Sequence, residues 1–270
     1  MNLYIYHETS YAYDQPSYGI IQSLKMVPSI HKGQRIISWD ISSSVNGNFG
    51  STFRDGVGDI VQTFSTEKKA NQFKIKTEGI IETTNQYGIL KDHKESISPK
   101  VFLRNTELTK PNLQIIELAK KINPDNEDLL KAHQLSGLIA DKILYMKGSS
   151  NIHNKASDVI KSKKGVCQDF SHLLIACSTF LKMPARYVTG YLVNSQDLSD
   201  IESTHAWTEI YMKDLGWVGF DPTNRCCVDD RYIRLCSGLD SIDASPIRGI
   251  SKNSGLEDFN FSIQVQKKEQ

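Results

Sequence analysis

Residues 165–192, GVCQDFSHLLIACSTFLKMPARYVTGYL, constrain the fold of this chain more than any other stretch. Phe170, Leu173, Leu174, Cys177, Phe180 and Leu181 recur at the i, i+3, i+4, i+7 spacing of a helix with one buried face. Pro184 cannot continue a helix, so the helix is expected to end near Met183. Three strand candidates follow, ARYVTGYLV, THAWTEIYM and GWVGFDP, separated by short polar or glycine-containing connections. Helices followed by hairpin-linked strands indicate an α+β fold rather than a doubly wound α/β one. Cys167 falls in the first turn of the helix. Unpaired backbone N–H groups and the positive end of the helix dipole favour a thiolate there. A buried structural cysteine fits the same position, since free cysteines are commonly buried.

The remainder of the chain divides into three stretches. Residues 1–95 read as a β-rich region: LYIYHETSYAY alternates loosely, ISWDISSSV and NQFKIKTEGIIE are short strand-like runs, and DGVGD at 55–59 marks a tight turn. Residues 96–255 form the catalytic-core candidate. A polar connector with Pro99 and Pro111 leads into three helical segments ahead of the Cys167 helix. PNLQIIELAKKI has Pro111 at a permitted first-turn position; NEDLLKAHQLSGLIADKILYM carries Leu130, His133, Leu138, Ile139 and Ile143 at helical spacing; NKASDVIKSKK is a short third helix. In residues 256–270, Phe259, Phe261, Ile263 and Val265 alternate strictly with polar residues. That pattern predicts a half-buried strand, expected to return to the N-terminal β region.

Composition excludes several function classes. With 270 residues and a formal net charge of +1, the chain offers no electrostatic footprint for nucleic acid or an anionic membrane. It has no apolar run of bilayer length and no signal-peptide pattern at its start. The five cysteines form no secreted-scaffold spacing, which points to reduced thiols and a cytoplasmic location. Cys226, Cys227 and Cys236 lack zinc-ligand spacing, and no G-x-G-x-x-G, P-loop or EF-hand pattern occurs, so neither metal nor cofactor is expected.

A thiol nucleophile needs a base and a group that orients the base. Downstream of Cys167 the histidine inside a strand pattern is His205, and the following strand ends in Asp221. Alternation puts His205, Trp207, Glu209 and Tyr211 on one face, and Trp217, Gly219 and Asp221 on one face of the next strand. If Lys213–Leu215 form a three-residue hairpin loop, Met212 faces Gly216, and Asp221 lies opposite Trp207 and diagonal to His205. Diagonal neighbours sit about 7–8 Å apart, within reach of longer side chains. One residue more or less in the loop would flip Asp221 to the other face. Taken singly, His205 also fits a hydrogen-bonded core histidine, and Asp221-Pro222 a turn.

The words GVCQDFSHLL, PARYVTGYL, THAWTEIY and GWVGFDPTN resemble the core of the transglutaminase-like superfamily, in particular its bacterial branch. YHETSYAYDQP with the DGVGD turn resembles the β-rich N-terminal region of that branch, and GLDSIDASPIRGI its closing segment. The resemblance implies a papain-like fold, with the Cys helix packed on an antiparallel sheet, and a covalent thioester intermediate. It assigns nucleophile, base and orienting acid to Cys167, His205 and Asp221. The chain departs from the pattern at Ser171 (usually Ala), Asp59 (usually Asn) and Leu239 (often Arg). The last puts any substrate-anion contact there in doubt.

The expectation is therefore a cysteine-dependent amide or peptide hydrolase acting on a peptide or amide substrate. Transfer of the acyl group to an amine, or a catalytically silent binding protein on this fold, are the alternatives. Eukaryotic cross-linkers of the superfamily add further domains and calcium control, whereas this sequence ends soon after the core, which favours calcium-independent hydrolysis. Asp169 is expected to favour the helix dipole, His172 to anchor a neighbouring element, and Trp207 to wall the site or pack in the core. Acyl substrate and oligomeric state are left open.

Overall fold

The computed structural model describes residues 1–193, 204–252 and 255–267. Residues 194–203 and 253–254, within the stretch assigned to the core, and 268–270, within the C-terminal strand, lie outside the described residues. The N-terminal part comprises β1 (Asn2–Val27), β2 (Gln34–Ser43), the two-residue strands β3 (Asn48–Phe49) and β4 (Phe53–Arg54), β5 (Ile60–Thr66) and β6 (Ala70–Thr83). A 3-10 turn at Pro99–Leu103 precedes α1 (Leu113–Ala119), α2 (Asp128–Lys142), β7 (Leu144–Tyr145), α3 (Ala156–Ser162), β8 (Lys164–Gly165) and α4 (Cys167–Phe180). Then come β9 (Ala185–Leu192), β10 (His205–Met212), β11 (Gly216–Asp221), β12 (Cys226–Cys227), β13 (Tyr232–Gly238), β14 (Ile247–Lys252) and β15 (Glu257–Lys267). The fold is α+β.

β1 is the spine of the N-terminal part and is far longer than its loose alternation suggests. Leu3, Ile5, His7, Thr9, Tyr11 and Tyr13 all turn inward, so polar side chains hold two core-facing positions. Up to Ala12 the strand pairs with β6 on one side and β15 on the other. The register breaks between Ala12 and Ser17, around Pro16, which has no N–H for the ladder. Beyond the break β1 pairs with β5 and β14 instead. The sheet curls around Leu24, Met26, Phe64 and Phe73. β14 falls in the stretch assigned from sequence to the core, yet it extends this N-terminal sheet.

The second sheet has the order β12-β11-β10-β9-β13, antiparallel throughout. α4 packs on β10 and β9, with the other three helices around it. The expectation of one buried face on α4 is corrected here: every residue from Asp169 to Thr179 is buried. A helix apolar on one side tolerates this because most of its polar side chains find partners, Ser178 Oγ being an exception. Ser171 Oγ donates to Cys167 O at 2.9 Å, Thr179 Oγ1 to Asn105 Oδ1 at 2.8 Å, and His172 Nε2 accepts from Ser241 N at 3.1 Å.

Two helix details also differ from the sequence reading. Pro111 lies outside α1, whose N-cap is Asn112, with Oδ1 accepting from Ile115 N at 3.0 Å. The buried face of α2 is Ala132, Leu135, Ser136 and Ile139, while Leu130 is exposed. Small residues at 132 and 136 present the flatter surface, and that surface faces the core.

The two parts meet over Leu3, Ile5, Ile81, Tyr191, Ile233, Leu235 and Ile263. The DGVGD turn also reaches this junction. Asp55 Oδ1 accepts from Val57 N and Asp59 N, and Gly58 takes φ +86°, where a Cβ would stand 2.2 Å from Lys94 O. The turn delivers Asp59 to the amide of Ser237, at 2.9 Å, and to Lys25 and Arg234. Among the described residues no helix is long and apolar enough to cross a membrane.

Candidate active site

Cys167 is the first residue of α4. Its position is fixed by Asp169, whose Oδ2 accepts from Val166 N at 2.7 Å while Oδ1 accepts from Ser150 Oγ at 2.8 Å. Burial pushes the Asp169 carboxyl up, opposed by those hydrogen bonds. Asp169 therefore does more than favour the dipole: it ties the helix start to the segment after β7. Gly165 leaves room for it, since a Cβ there would lie 2.6 Å from Asp169 Cβ. Asp169 N and Phe170 N donate to the carbonyl of the N-cap residue Val166, at 2.9 and 3.1 Å.

The hairpin β10–β11 pairs Met212 with Gly216 and Tyr211 with Trp217, so Lys213–Leu215 form the loop. Asp221 consequently shares the face of His205, and its Oδ2 lies 2.6 Å from His205 Nε2. Cys167 lines the same cleft as His205, and its thiol is the other group that acts on the imidazole. Burial disfavours the charged ring, but the hydrogen bonds and charges of Asp221 and Cys167 outweigh it and raise the His205 pKa to about 10. Burial works against the Asp221 carboxylate in the same way, and its donors overcome that and lower its pKa. Cys167, His205 and Asp221, far apart in the chain, are thus brought together at one end of α4.

Two residues that the sequence reading passed over complete the surroundings of Asp221. Tyr232, on β13, donates its hydroxyl to Asp221 Oδ2 at 2.8 Å, and Asn224 Nδ2 donates to the same oxygen at 2.7 Å. Thr223 N and Asn224 N donate to Oδ1 at 2.9 and 3.2 Å. The Asp-Pro-Thr-Asn turn was a local signal for Asn224; nothing local pointed to Tyr232. Trp207 is buried and lies nearly parallel to His205, with ring centroids 6.4 Å apart and an edge contact to Tyr232. It backs the histidine rather than facing solvent.

Glu209, one strand repeat beyond Trp207, accepts from Arg186 Nε at 2.7 Å and from Arg234 Nε at 3.0 Å, all three side chains being buried. Arg186 also reaches Glu95, and Arg234 reaches Asp59. This network ties β10 to β9 and, one strand further along the sheet, to β13, and links the core sheet to the N-terminal part. It does not touch Cys167 or His205 among the contacts described.

Cys167 and His205 lie in an open cleft of about 600 Å³. Val166, Gln168, Tyr187, Thr189, Ser241 and Ser245 are among the residues that line it. Cys167 is half-buried, whereas Cys177 and Cys236 are fully buried with their thiols pushed up by burial. Among the described residues no three His, Cys, Asp or Glu side chains converge as a metal site.

Comparison with known proteins agrees with this architecture. The model of the transglutaminase-like superfamily matches residues 116–222, and that of the bacterial transglutaminase-like N-terminal region matches residues 3–82. An uncharacterized protein of Mycobacterium leprae is 23% identical over 97% of this chain and 98% of its own length. One of Mycobacterium tuberculosis is 27% identical over 93% and 89% respectively. Among solved structures, a candidate cysteine protease from Cytophaga hutchinsonii shares the fold with a TM-score of 0.76 at 21% identity, covering 98% of this chain and 90% of that one. The chain belongs to the transglutaminase-like superfamily and carries the N-terminal region of its bacterial branch.

Proposed function

We propose that the protein is a cysteine-dependent amide or peptide hydrolase. The observation that carries this reading is His205, hydrogen-bonded to the buried Asp221 carboxylate, sharing an open cleft with Cys167 at the start of α4. His205 takes the proton of Cys167, and the Asp221 carboxylate stabilises the imidazolium. The sulfur attacks the amide carbonyl carbon, forming a C–S bond and an oxyanion. The backbone N–H of Cys167, at the helix N-terminus, is a suitable oxyanion donor. As the C–N bond breaks, His205 returns its proton to the leaving amine, and a thioester remains. Water, deprotonated by His205, then attacks the thioester. The C–S bond breaks, the acid leaves, and the thiol–imidazole pair is restored.

Hydrolysis is favoured over transfer to an amine because the cleft gives water room beside the thioester carbon. The cysteines are all unpaired, which supports a reducing, cytoplasmic setting.

The test is a screen of blocked peptides and γ-glutamyl amides, with products resolved by mass with and without millimolar amine in the presence of chelator. Cys167→Ala and His205→Ala are expected to abolish turnover, and Asp221→Ala to reduce it less, with unchanged circular dichroism. Full turnover by His205→Ala would refute the reading. A dominant amine adduct at modest amine concentration would replace hydrolase with transferase.

A further inference from the structure

Along the shared face of β1 and β15 the pairs His7–Ile263, Thr9–Phe261 and Tyr11–Phe259 form one row. At its first rung the row is interior: Ile263 packs against the core sheet beside Tyr191, and His7 Nδ1 meets Tyr191 Oη at 2.8 Å. At the next two rungs, Phe261 and Phe259 are 49% and 50% exposed. The strict alternation of β15 thus carries two large aromatic side chains past the covered part of the face. They are where the sequence pattern alone would have buried them.

Phe261 lines the Cys167 cleft itself. It also lines a second hollow of about 150 Å³, which shares Thr204, Ser245, Pro246 and Phe261 with the cleft and is closed by Tyr11, Ile247 and Phe259. Apolar cavities of that volume accept a benzene-sized group. No lining side chain carries a charge at neutral pH, because burial pushes the pKa of His7 down to about 4. Three of the polar lining side chains are already engaged: His7 Nε2 with Thr9 Oγ1 at 3.1 Å, and Ser245 Oγ with Ile247 O at 2.8 Å. A charged side chain entering there would lose its hydration and gain no partner. From Tyr11, Ile247 and Phe259 the surface continues into a further groove between β14 and β15, so an extended chain could run on from the hollow.

We propose that the substrate acylating Cys167 is a peptide with a bulky, uncharged apolar side chain near the scissile amide, seated against Phe261 and Phe259. The proposal rests on the hydrolase reading and adds its substrate class. The apolar hollow is continuous with the reaction cleft, which distinguishes it from an unassigned greasy surface.

The test is protection of Cys167 from iodoacetamide, mapped by mass, using blocked tripeptide amides that differ only in a central Phe, Leu, Ala, Asp or Lys. Phe and Leu peptides are expected to half-protect at concentrations at least about tenfold below Asp and Lys peptides, the scale of discrimination an apolar pocket delivers. Phe261→Ala, and independently Phe259→Ala, should erase most of that gap; circular dichroism checks that each variant is folded. The proposal is overturned if Asp or Lys peptides protect as well as Phe peptides, if none protects, or if both variants keep the gap. If iodoacetamide does not single out Cys167 in the unprotected wild type, the hydrolase reading itself fails, and this substrate assignment with it.

Discussion

Replacing Glu209 by Gln should destabilise the fold by about 3–5 kcal/mol at neutral pH, the cost typical of breaking a buried ion pair by removing one partner. Three guanidinium N–H groups converge on this carboxylate: Arg186 Nε at 2.7 Å, Arg234 Nε at 3.0 Å and Arg234 Nη2 at 3.4 Å. Gln supplies one acceptor oxygen and turns an NH₂ group toward donors, so at least one buried guanidinium loses its contact here and is left with only Glu95 or Asp59 as counter-charge. The pKa gives a second estimate. Burial raises the Glu209 carboxyl, but Arg234 and Arg186 together pull it from 4.5 to about 2. That depression is worth about 3 kcal/mol. Its sign is that of a carboxylate with a lowered folded-state pKa: the stabilisation is complete above pH 4.5 and is lost as pH falls toward 2. Urea unfolding of wild type and Glu209→Gln should therefore show a gap of about 3 kcal/mol or more at pH 7 that narrows as the buffer is taken below pH 4.5. A gap under about 1 kcal/mol at pH 7, or one that is the same at pH 3.5 as at pH 7, would refute the view that Glu209 is the counter-charge holding β10 in place.

Tyr232→Phe removes one donor from Asp221; a hydrogen bond to a charged group is worth about 1.5–3 kcal/mol, so turnover should fall about tenfold or more while circular dichroism is unchanged. Gly165→Ala sets a Cβ against Asp169, and should cost about 1–3 kcal/mol in urea unfolding and slow alkylation of Cys167. His172, its pKa lowered by burial from 6.5 to about 4, binds a proton more readily when unfolded, so it withdraws stability as pH drops from 6.5 toward 4. His172→Gln keeps an acceptor for Ser241 N and should flatten the pH dependence of stability across that window by about 1.4 kcal/mol per pH unit.

What was legible in the sequence was local. Pro184 bounded the Cys167 helix, which stops at Phe180 rather than near Met183, and period-two alternation with a three-residue loop was enough to set the β10–β11 register. That register puts Asp221 on the face of His205. What was not legible depends on chain segments that meet only in the fold. The all-round burial of α4 relies on Asn105, Ser150 and Ser241 to satisfy Thr179, Asp169 and His172. Tyr232 reaches Asp221 although β9 and β10 lie between their strands in the sheet, a proximity that no spacing encodes. The inward-facing His7 and Thr9 blurred the alternation of β1, hiding a 26-residue strand. Conversely, the clean alternation of β15 suggested burial for Phe259 and Phe261, but the covering layer ends before it reaches them.

The central claim is that Cys167 and His205 act as a pair. The most direct test is the rate at which iodoacetamide modifies each of the five thiols at pH 6, mapped by mass in wild type and in His205→Ala. The account predicts that Cys167 is modified first in the wild type, ahead of Cys226 and Cys227, and that its rate falls by about an order of magnitude or more without the imidazole. Preferential modification of Cys226 or Cys227, or an equal rate at Cys167 in the two proteins, would contradict it.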